Sequence, residues 1–509
     1  MWIQSIVSNF FDIAQRYKND IAIIDKDVYL SFEQVCNNAL LLANIILKKE
    51  CTKKIIALYL PKSSYTVISD IAILLSGNAF MNLDIKLPTH RLKSIIDNIQ
   101  PAFFITNNEC FNILEQIGIV KDNVIIINEN DINFNKESTL IRCNKQLDKV
   151  IDTDLCCIIN TSGSTGTPKG VALCHRSFID FYEWSINEFN FSNNDIIGNL
   201  SPVYFDIYCF ELCLLLLKGS KIVFIPEKYS AYPIKILQWL QKYDITFIFW
   251  VPTIMVNIAN MELLNQYNLN KIRLVWFAGE VFPIKQLNYW RTYIKEAVFV
   301  NMYGPIEITL DCVYHIVTEP IDDNDPIPIG KPCKNTDILI LNENNVLVKV
   351  GEIGELCVRG SSLALGYYND FDRTSLVFTQ NPLNVNYPET IYRTGDMVYY
   401  REDCNIMFVG RKDNQIKHMG YRIELGEIEQ AALSISFIKN VCVVYNQEEK
   451  EIVMFFESAN KLESKELWVH LMQLLPKYML PTKYIQLEKI PTNPNGKIDR
   501  NYLANSIKK

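Results

Sequence analysis

The stretch Thr161-Ser162-Gly163-Ser164-Thr165-Gly166-Thr167-Pro168-Lys169-Gly170 decides how the rest of the chain reads. The apolar run Leu155 to Ile159 precedes it and the strand-like Val171 to Leu173 follows. Glycines let backbone N–H groups approach an anion, hydroxyls donate hydrogen bonds, and Lys169 adds charge. The segment therefore reads as a phosphate cradle between two strands. It is not the P-loop of NTPases, because Gly166 is followed by Thr167 and Pro168, and Lys169 by Gly170.

On both sides of the cradle, apolar strand-like runs alternate with helical segments. Ile55 to Leu60, Ala79 to Leu83, Ile222 to Ile225 and Ile245 to Val251 read as buried strands, and Tyr65 to Leu75 and Pro233 to Lys242 as helices. That alternation predicts an α/β fold of helix-covered parallel sheets. From Asp337 to Gly360 the texture changes to short strands (DILILN, VLVKVG, GELCVRG) joined by Asn- and Gly-rich turns, as in an antiparallel sheet or small barrel. Val398 to Phe408 reads as a hairpin turning at Glu402-Asp403. Beyond the polar junction Gly410-Arg411-Lys412-Asp413 comes a small α+β unit. It has helices at 424–434 and 464–474, strands at 440–445 and 452–456, a strand-like 483–487 and a polar tail at 491–500. The expected division is a large domain over 1–412 and a small mobile domain over 413–509, with the chemistry at their junction.

Composition narrows the function. The chain has 509 residues, enough for about two to four domains. With 49% apolar and 21% charged residues it is a globular chain, not a disordered one. Lys+Arg 50 against Asp+Glu 57 gives 50 − 57 = −7, which argues against a general nucleic-acid binder. The first twenty residues lack the pattern of a secretory signal, and the densest apolar run, Leu212 to Leu217, is too short to span a bilayer. The 14 cysteines show no zinc spacing and lie mostly in apolar runs, so they read as reduced core thiols of a cytoplasmic protein with no membrane insertion.

Further motifs follow in a fixed series. They are Leu30 to Gln34 (LSFEQ), Gly77 to Asp84 (GNAFMNLD) with Arg91-Leu92, Asn301 to Glu307 (NMYGPIE), Gly354-Glu355-Leu356 and Tyr392 to Asp396 (YRTGD). Gly410 to Asp413, Gly420 to Glu424 (GYRIE) and Asn495 to Arg500 (NGKIDR) complete it. With the cradle, this series resembles the adenylate-forming superfamily, which includes acyl-CoA synthetases, luciferases and the adenylation domains of nonribosomal peptide synthetases. The resemblance covers essentially the whole chain. It implies a large N-terminal domain of two helix-covered sheets plus a small barrel, then a mobile C-terminal domain carrying a catalytic lysine.

Taken alone, Tyr303 would read as a packed core ring, Asp396 as a turn cap and Glu307 as a surface charge. Within the series they imply an ATP site. There Tyr303 offers its face to adenine, Asn301 its amide to the adenine edge, and Asp396 its carboxylate to the ribose hydroxyls. Glu307 would hold Mg²⁺ on the triphosphate, since Mg²⁺ prefers a carboxylate with phosphate oxygens. Arg411 adds a ribose or phosphate contact. Gly279, Met302, Gly304 and the cradle residues Thr161, Ser162, Gly163, Ser164, Thr165, Gly166 and Lys169 complete the set. Lys497, by itself a basic residue in a polar tail, corresponds to the lysine that bridges substrate carboxylate and α-phosphate. Asp413 corresponds to the hinge. Gly420 corresponds to a pantetheine-tunnel glycine; the bland alternative is a turn glycine.

Asp206, in Tyr204-Phe205-Asp206-Ile207, reads from the residues as either a helix cap or the partner of a cation. In amino-acid-activating members this position pairs with the substrate α-ammonium. By resemblance Ile207, Phe210, Phe249, Trp276, Ala278, Met302, Leu310 and Asp311 line the side-chain pocket. The large members favour a small amino acid, whereas Asp311 points to a hydroxyl or a cation. Ala278 to Pro283 (AGEVFP) fits D-alanine–carrier protein ligases. Only nine residues follow Arg500, and no carrier or condensation motif occurs. The expectation is a freestanding ATP-dependent ligase that makes aminoacyl-AMP and passes it to the phosphopantetheine thiol of a separate carrier protein. The rivals are an acyl- or aryl-acid CoA ligase, against which Asp206 speaks, and a non-catalytic adenylate-binding module, which would have lost Lys497, Glu307 or the cradle.

Overall fold

A computed structural model describes residues 3–127, 135–163, 168–318, 321–322, 326–458, 460, 462–492 and 498–507. The chain forms two compact units. The first is Met1–Ile85, Gln100–Ile159 and Val171–Lys412; the second is Lys86–Ile99, Asn160–Gly170 and Asp413–Lys509. Both are mixed α/β structures, in keeping with the α/β fold class.

The first unit is built on a nine-stranded sheet. Its strands run in the order Lys331–Pro332, Val313–Ile316, Val298–Tyr303, Leu274–Phe277, Phe247–Trp250, Ile196–Asn199, Lys221–Phe224, Ile21–Asp25 and Val28–Ser31. The six strands from Val298–Tyr303 to Ile21–Asp25 pair in parallel, and antiparallel strands close both edges. Parallel strands need helical crossovers, which cover both faces, so their sequences are continuously apolar. FIFW (Phe247–Trp250) and LVWF (Leu274–Phe277) are buried at every position. A seven-stranded sheet contains Ile55–Tyr59, Ala79–Asn82, Phe103–Thr106 and Leu155–Thr161, with parallel pairing among them. The anticipated strands and helices of this region are present, with ends shifted by a residue or two.

The five-stranded third sheet is antiparallel: Thr336–Leu341, Gly354–Gly360, Thr390–Tyr400, Phe378–Gln380 and Ile406–Arg411. The expected hairpin turns at Glu402-Asp403, with Tyr400 opposite Ile406. One expected strand is absent. VLVKVG (346–351) makes only an isolated bridge from Leu347 to Leu341, and Val346, Leu347 and Val350 are exposed. Asn345 in the left-handed region and the bonds of Asn342 to Asn345 N and Val346 N curl this segment into a turn before it can extend.

In the second unit, the strands Ile438–Asn446, Glu451–Ser458 and Lys483–Gln486 pack with the helices Leu425–Leu433 and Ser464–Leu474. A two-strand ribbon, Gln415–His418 with Tyr421–Glu424, turns through Met419 (φ 53°) and Gly420 (φ 81°). Two successive positive φ angles define the tight hairpin turn in which glycine is favoured. Also within this unit, the buried guanidinium of Arg91 is paired with the buried carboxylate of Glu427. All fourteen cysteines are free and most are buried, as expected of core thiols. No helix among the described residues is long and apolar enough to cross a membrane.

Breaking a buried pair leaves an uncompensated charge, so Glu427→Ala should lower stability by roughly 3–5 kcal/mol. Urea unfolding checks this; an unchanged midpoint would show that Arg91 finds another anion.

Candidate active site

The strands Val298–Tyr303, Leu274–Phe277, Phe247–Trp250 and Ile196–Asn199 are neighbours in the large sheet. In parallel sheets ligands bind beyond the carboxyl ends of the strands. That edge is where Asn301, Met302 and Tyr303 end one strand, Ala278 and Gly279 follow the next, and Asp206 opens a helix after the fourth.

Tyr303 and Asp396 meet there. The Tyr303 hydroxyl donates to Asp396 Oδ2, and Arg411 Nη1 donates to Asp396 Oδ1 at 2.6 Å. Asp396 and Arg411 face each other in strand register. Burial, then the charge of Asp396, holds the Tyr303 phenol well above its usual range, so it remains a donor. The loop carrying Asp396 is itself tied down. Glu355 Oε1 accepts from Gly395 N at 3.1 Å and Lys412 Nζ at 2.7 Å, and Glu355 Oε2 accepts from Arg393 Nη1 at 3.0 Å. Thr394 Oγ1 donates to Leu356 O and accepts from Asp396 N. The GEL and YRTGD motifs are thus one structure, and Glu355 is a positioning residue that sequence reasoning quoted without giving it a role. Asn301 Nδ2 donates to Pro328 O at 2.9 Å, which anchors its side chain at the strand end.

The loop between Tyr303 and Val313 carries four further candidates, Gly304, Glu307, Leu310 and Asp311. Gly304 is required sterically: a Cβ there would lie 2.4 Å from Leu310 O and 2.5 Å from Asp311 Cα. The close approach comes from a backbone kink in which Thr309 (φ 55°) and Leu310 (φ 68°) are both left-handed, a conformation costly for residues with a Cβ. Cys312 N closes the loop onto Tyr303 O at 2.9 Å. Glu307 is fully buried inside it and accepts from Tyr367 OH at 2.7 Å. A single hard carboxylate, with the other ligands coming from phosphate and water, is the donor set Mg²⁺ accepts. Glu307 fits that requirement, and the described residues hold no cluster of three or more His, Cys, Asp or Glu that would form a separate metal cage.

Asp206 is half-buried in the first turn of the Asp206–Cys213 helix, and its Oδ1 accepts from Ile207 N at 2.9 Å. The other pocket candidates belong to one apolar cluster: Ile207, Phe210, Phe249, Trp276, Ala278, Met302 and Leu310. Phe210 stacks on Trp276 with ring centroids 5.3 Å apart and planes at 10°, and Phe249 meets Trp276 edge-on at 5.4 Å. Trp276 has 0% exposure. Phe181, Phe189, Phe191 and Phe247 add further ring contacts around it, and its Nε1 has no acceptor. Asp311 is buried beside them in sequence at the end of the kinked loop. Sequence reasoning missed Phe181, Phe189 and Phe191. The helix His175–Phe189 shows an aromatic spacing at 178, 181 and 184 that marks it as a packing face without naming its target.

In the second unit, Ser162 Oγ donates to Arg422 O at 2.6 Å, and Lys169 is buried. Thr161 Oγ1 and both polar atoms of the Asn160 amide are buried without a partner, an arrangement suited to an incoming polar ligand. Gly163 is buried; Ser164, Thr165, Gly166 and Thr167 lie outside the described residues, as does Lys497. Asp413 accepts from Gln415 N at 3.2 Å. Gly420 lies in the ribbon turn with φ 81°.

Residues 10–368 match the model of the AMP-binding enzyme family. The chain belongs to the AMP-binding enzyme family. It is 30% identical over 505 residues to Tyrocidine synthase 1 of Brevibacillus parabrevis, a match that covers 98% of this chain and 45% of that protein. The chain therefore spans less than half the length of that relative. Its fold is shared with the Vibrio cholerae adenylation domain AlmE, solved in complex with glycyl-adenosine-5'-phosphate (TM-score 0.84, 20% identity, 100% of this chain and 98% of that one). It is also shared with the o-succinylbenzoate CoA synthetase MenE of Bacillus subtilis (TM-score 0.81, 19% identity, 99% and 98%). The chain is thus an AMP-binding enzyme by family, with Tyrocidine synthase 1 among its relatives.

Gly304→Ala should push Leu310 and Asp311 out of place and remove adenylate formation, because the added Cβ meets backbone, not a yielding side chain. Pyrophosphate release by the folded variant checks this. Wild-type activity would mean that the 304–311 loop is dispensable.

Proposed function

We propose that this AMP-binding enzyme activates an amino acid as aminoacyl-AMP and passes it to the phosphopantetheine thiol of a carrier protein. The observation that carries the reading is Asp206, a carboxylate in the first turn of a helix whose next residues, Ile207 and Phe210, belong to the aromatic cluster. An α-ammonium needs an anion at that place, and a fatty or aryl acid does not. This favours an amino acid over the CoA-ligase reading, although a CoA synthetase shares the fold. The similarity to Tyrocidine synthase 1 supports the same choice.

In the first step a substrate carboxylate oxygen attacks the α-phosphorus of ATP. The bond from that phosphorus to the bridging oxygen breaks, and pyrophosphate leaves. Tyr303, Asn301 and Gly279 would hold adenine, Asp396 with Arg411 the ribose, and the Thr161–Lys169 cradle the phosphates. Mg²⁺ bound at Glu307 would neutralise triphosphate charge. Lys497 would bridge carboxylate and α-phosphate, where a cation offsets the repulsion of two anions. The second step needs the domains 1–412 and 413–509 to turn about Asp413, which brings the Gly420 hairpin to the thiol path. A cytoplasmic location suits an enzyme drawing on ATP.

The substrate side chain is small in this reading. Phe210 and Phe249 pack against Trp276, and three such rings lining the pocket would leave room only for a small side chain. AlmE, whose structure holds a glycyl adenylate, points the same way. Asp311 favours serine over alanine if its carboxylate is reached.

Asp206→Ala should raise the KM for the amino acid by about tenfold to a hundredfold, since a hydrogen bond to a charged group contributes roughly 1.5–3 kcal/mol. The KM for ATP should stay put. Equal KM values for the amino acid in both proteins would remove the ammonium assignment. Trp276→Ala should in turn admit larger amino acids in the exchange assay, and an unaltered preference would show that Trp276 does not set pocket size.

A further inference from the structure

Two buried carboxyl groups lie on or beside the helix that carries Asp206, Glu211 within it and Asp70 against it, and neither touches the reacting groups in the mechanism above. Asp70, in the Ser64–Leu75 helix, has no solvent exposure. Its Oδ2 accepts from Tyr208 OH at 2.6 Å and from Asn82 Nδ2 at 3.1 Å. Glu211 is equally buried, and its Oε2 accepts from Asn199 Nδ2. Tyr208 and Glu211 both belong to the Asp206–Cys213 helix. The same partners grip the loop that leads into it: Asn82 Nδ2 also donates to Val203 O at 3.1 Å, and Lys62 Nζ donates to Asn199 O at 3.2 Å and Ser201 O at 3.0 Å.

The atoms left over are all of one kind. Asp70 Oδ1 and Asn82 Oδ1 have no partner, nor do Glu211 Oε1 and Asn199 Oδ1. Each pair thus has one amide-to-carboxyl bond made and one acceptor unsatisfied on each side. An ionised carboxylate has no proton to offer, whereas a carboxylic acid facing an amide donates O–H to the amide oxygen while accepting its N–H. A proton on each acid would give each pair the donor that its two orphaned oxygens lack.

We propose that Asp70 and Glu211 are carried as neutral acids, paired with the amides of Asn82 and Asn199, and that these two acid–amide pairs position the helix bearing Asp206. Burial pushes both carboxyls up to about 7, against the hydrogen bonds from Tyr208, Asn82 and Asn199 that pull them down. Asp70 is faced by Tyr208 and Cys209 from the Asp206 helix and by Cys157 from the Leu155–Thr161 strand; Glu211 is faced by Tyr208 and by Lys62, whose charge favours ionisation. Above about 7 the acids ionise, each pair loses its second bond, and the helix is released.

The functional part of this inference rests on the reading of Asp206 as the ammonium partner. It is tested in the full chain by amino-acid-dependent pyrophosphate exchange across the neutral pH range. In the wild type the KM for the amino acid should rise about tenfold as pH passes upward through about 7, while the KM for ATP stays flat. The double variant Asp70→Asn, Glu211→Gln puts an N–H where each acid had O–H. It should keep the neutral-pH KM within about twofold and abolish the rise. Asp70→Leu, which can make no pair, should raise the KM at every pH. A rise that persists in the amide double variant, or an affinity as poor as that of Asp70→Leu, would overturn the proposal.

Thermal unfolding decides the protonation state independently of Asp206. An acid whose folded pKa is raised keeps its proton in the folded chain after the unfolded chain has lost it. Stability therefore falls as pH rises from the ordinary values, 3.8 and 4.5, to about 7, and falls no further above that. The wild-type melting temperature should drop relative to the amide double variant over that window. Parallel curves would overturn the neutral-acid assignment. An amino-acid KM untouched by Asp206→Asn would instead overturn the reading of Asp206 alone, with the melting comparison still deciding the acids.

Discussion

Parallel strands buried on both faces leave only one place for chemistry. Their faces are taken by helices, and their side chains, as in FIFW and LVWF, are committed to the core. Polar groups that must meet a ligand can stand only in the loops beyond the carboxyl ends of the strands. Asn301, Tyr303, Ala278, Gly279 and Asp206 all occupy that edge of the nine-stranded sheet. The site follows from strand order, and the loops need only hold their residues still.

That holding is done by buried charge and strain. Glu355 collects Gly395, Lys412 and Arg393 and so fixes the loop that presents Asp396. Asp396 in turn fixes Tyr303 and Arg411. Buried ion pairs give little net stability, because desolvation offsets their attraction, but each allows few alternative geometries. The left-handed pair Thr309 and Leu310 works alike: it is an unfavourable backbone that persists because Gly304 leaves room for it and Cys312 N bonds to Tyr303 O. Beside the Asp206 helix the holding is done instead by hydrogen-bonded acids without charge, Asp70 with Tyr208 and Glu211 with Asn199, in the reading proposed above.

Much of this was legible in the sequence, for reasons that differ by region. Continuous apolar runs announced buried parallel strands, since burial on both faces removes the alternation of a half-exposed strand. The nucleotide-site assignments came from the resemblance of the motif series to a family, and of that series Tyr303, Asp396 and Arg411 are bonded to one another. VLVKVG misled because its alternation fits a strand while Asn342 and Asn345 beside it dictate a turn. Asp70 with Tyr208 and Glu355 with Lys412 could not be read at all. Their partners lie 138 and 57 residues apart, and no local period records such contacts. Trp276 was recognised as large, but its enclosure by Phe181, Phe189 and Phe191 depends on how the distant His175–Phe189 helix and the residues just after it pack.

The claim that matters most is that an amino acid, not a fatty or aryl acid, is the group adenylated. The direct measurement is ATP–pyrophosphate exchange by the purified chain across the twenty amino acids beside fatty and aryl acids. Exchange that depends on one or a few small amino acids, with the fatty and aryl acids silent, is the predicted result. Exchange driven by a fatty or aryl acid, with every amino acid silent, would contradict it.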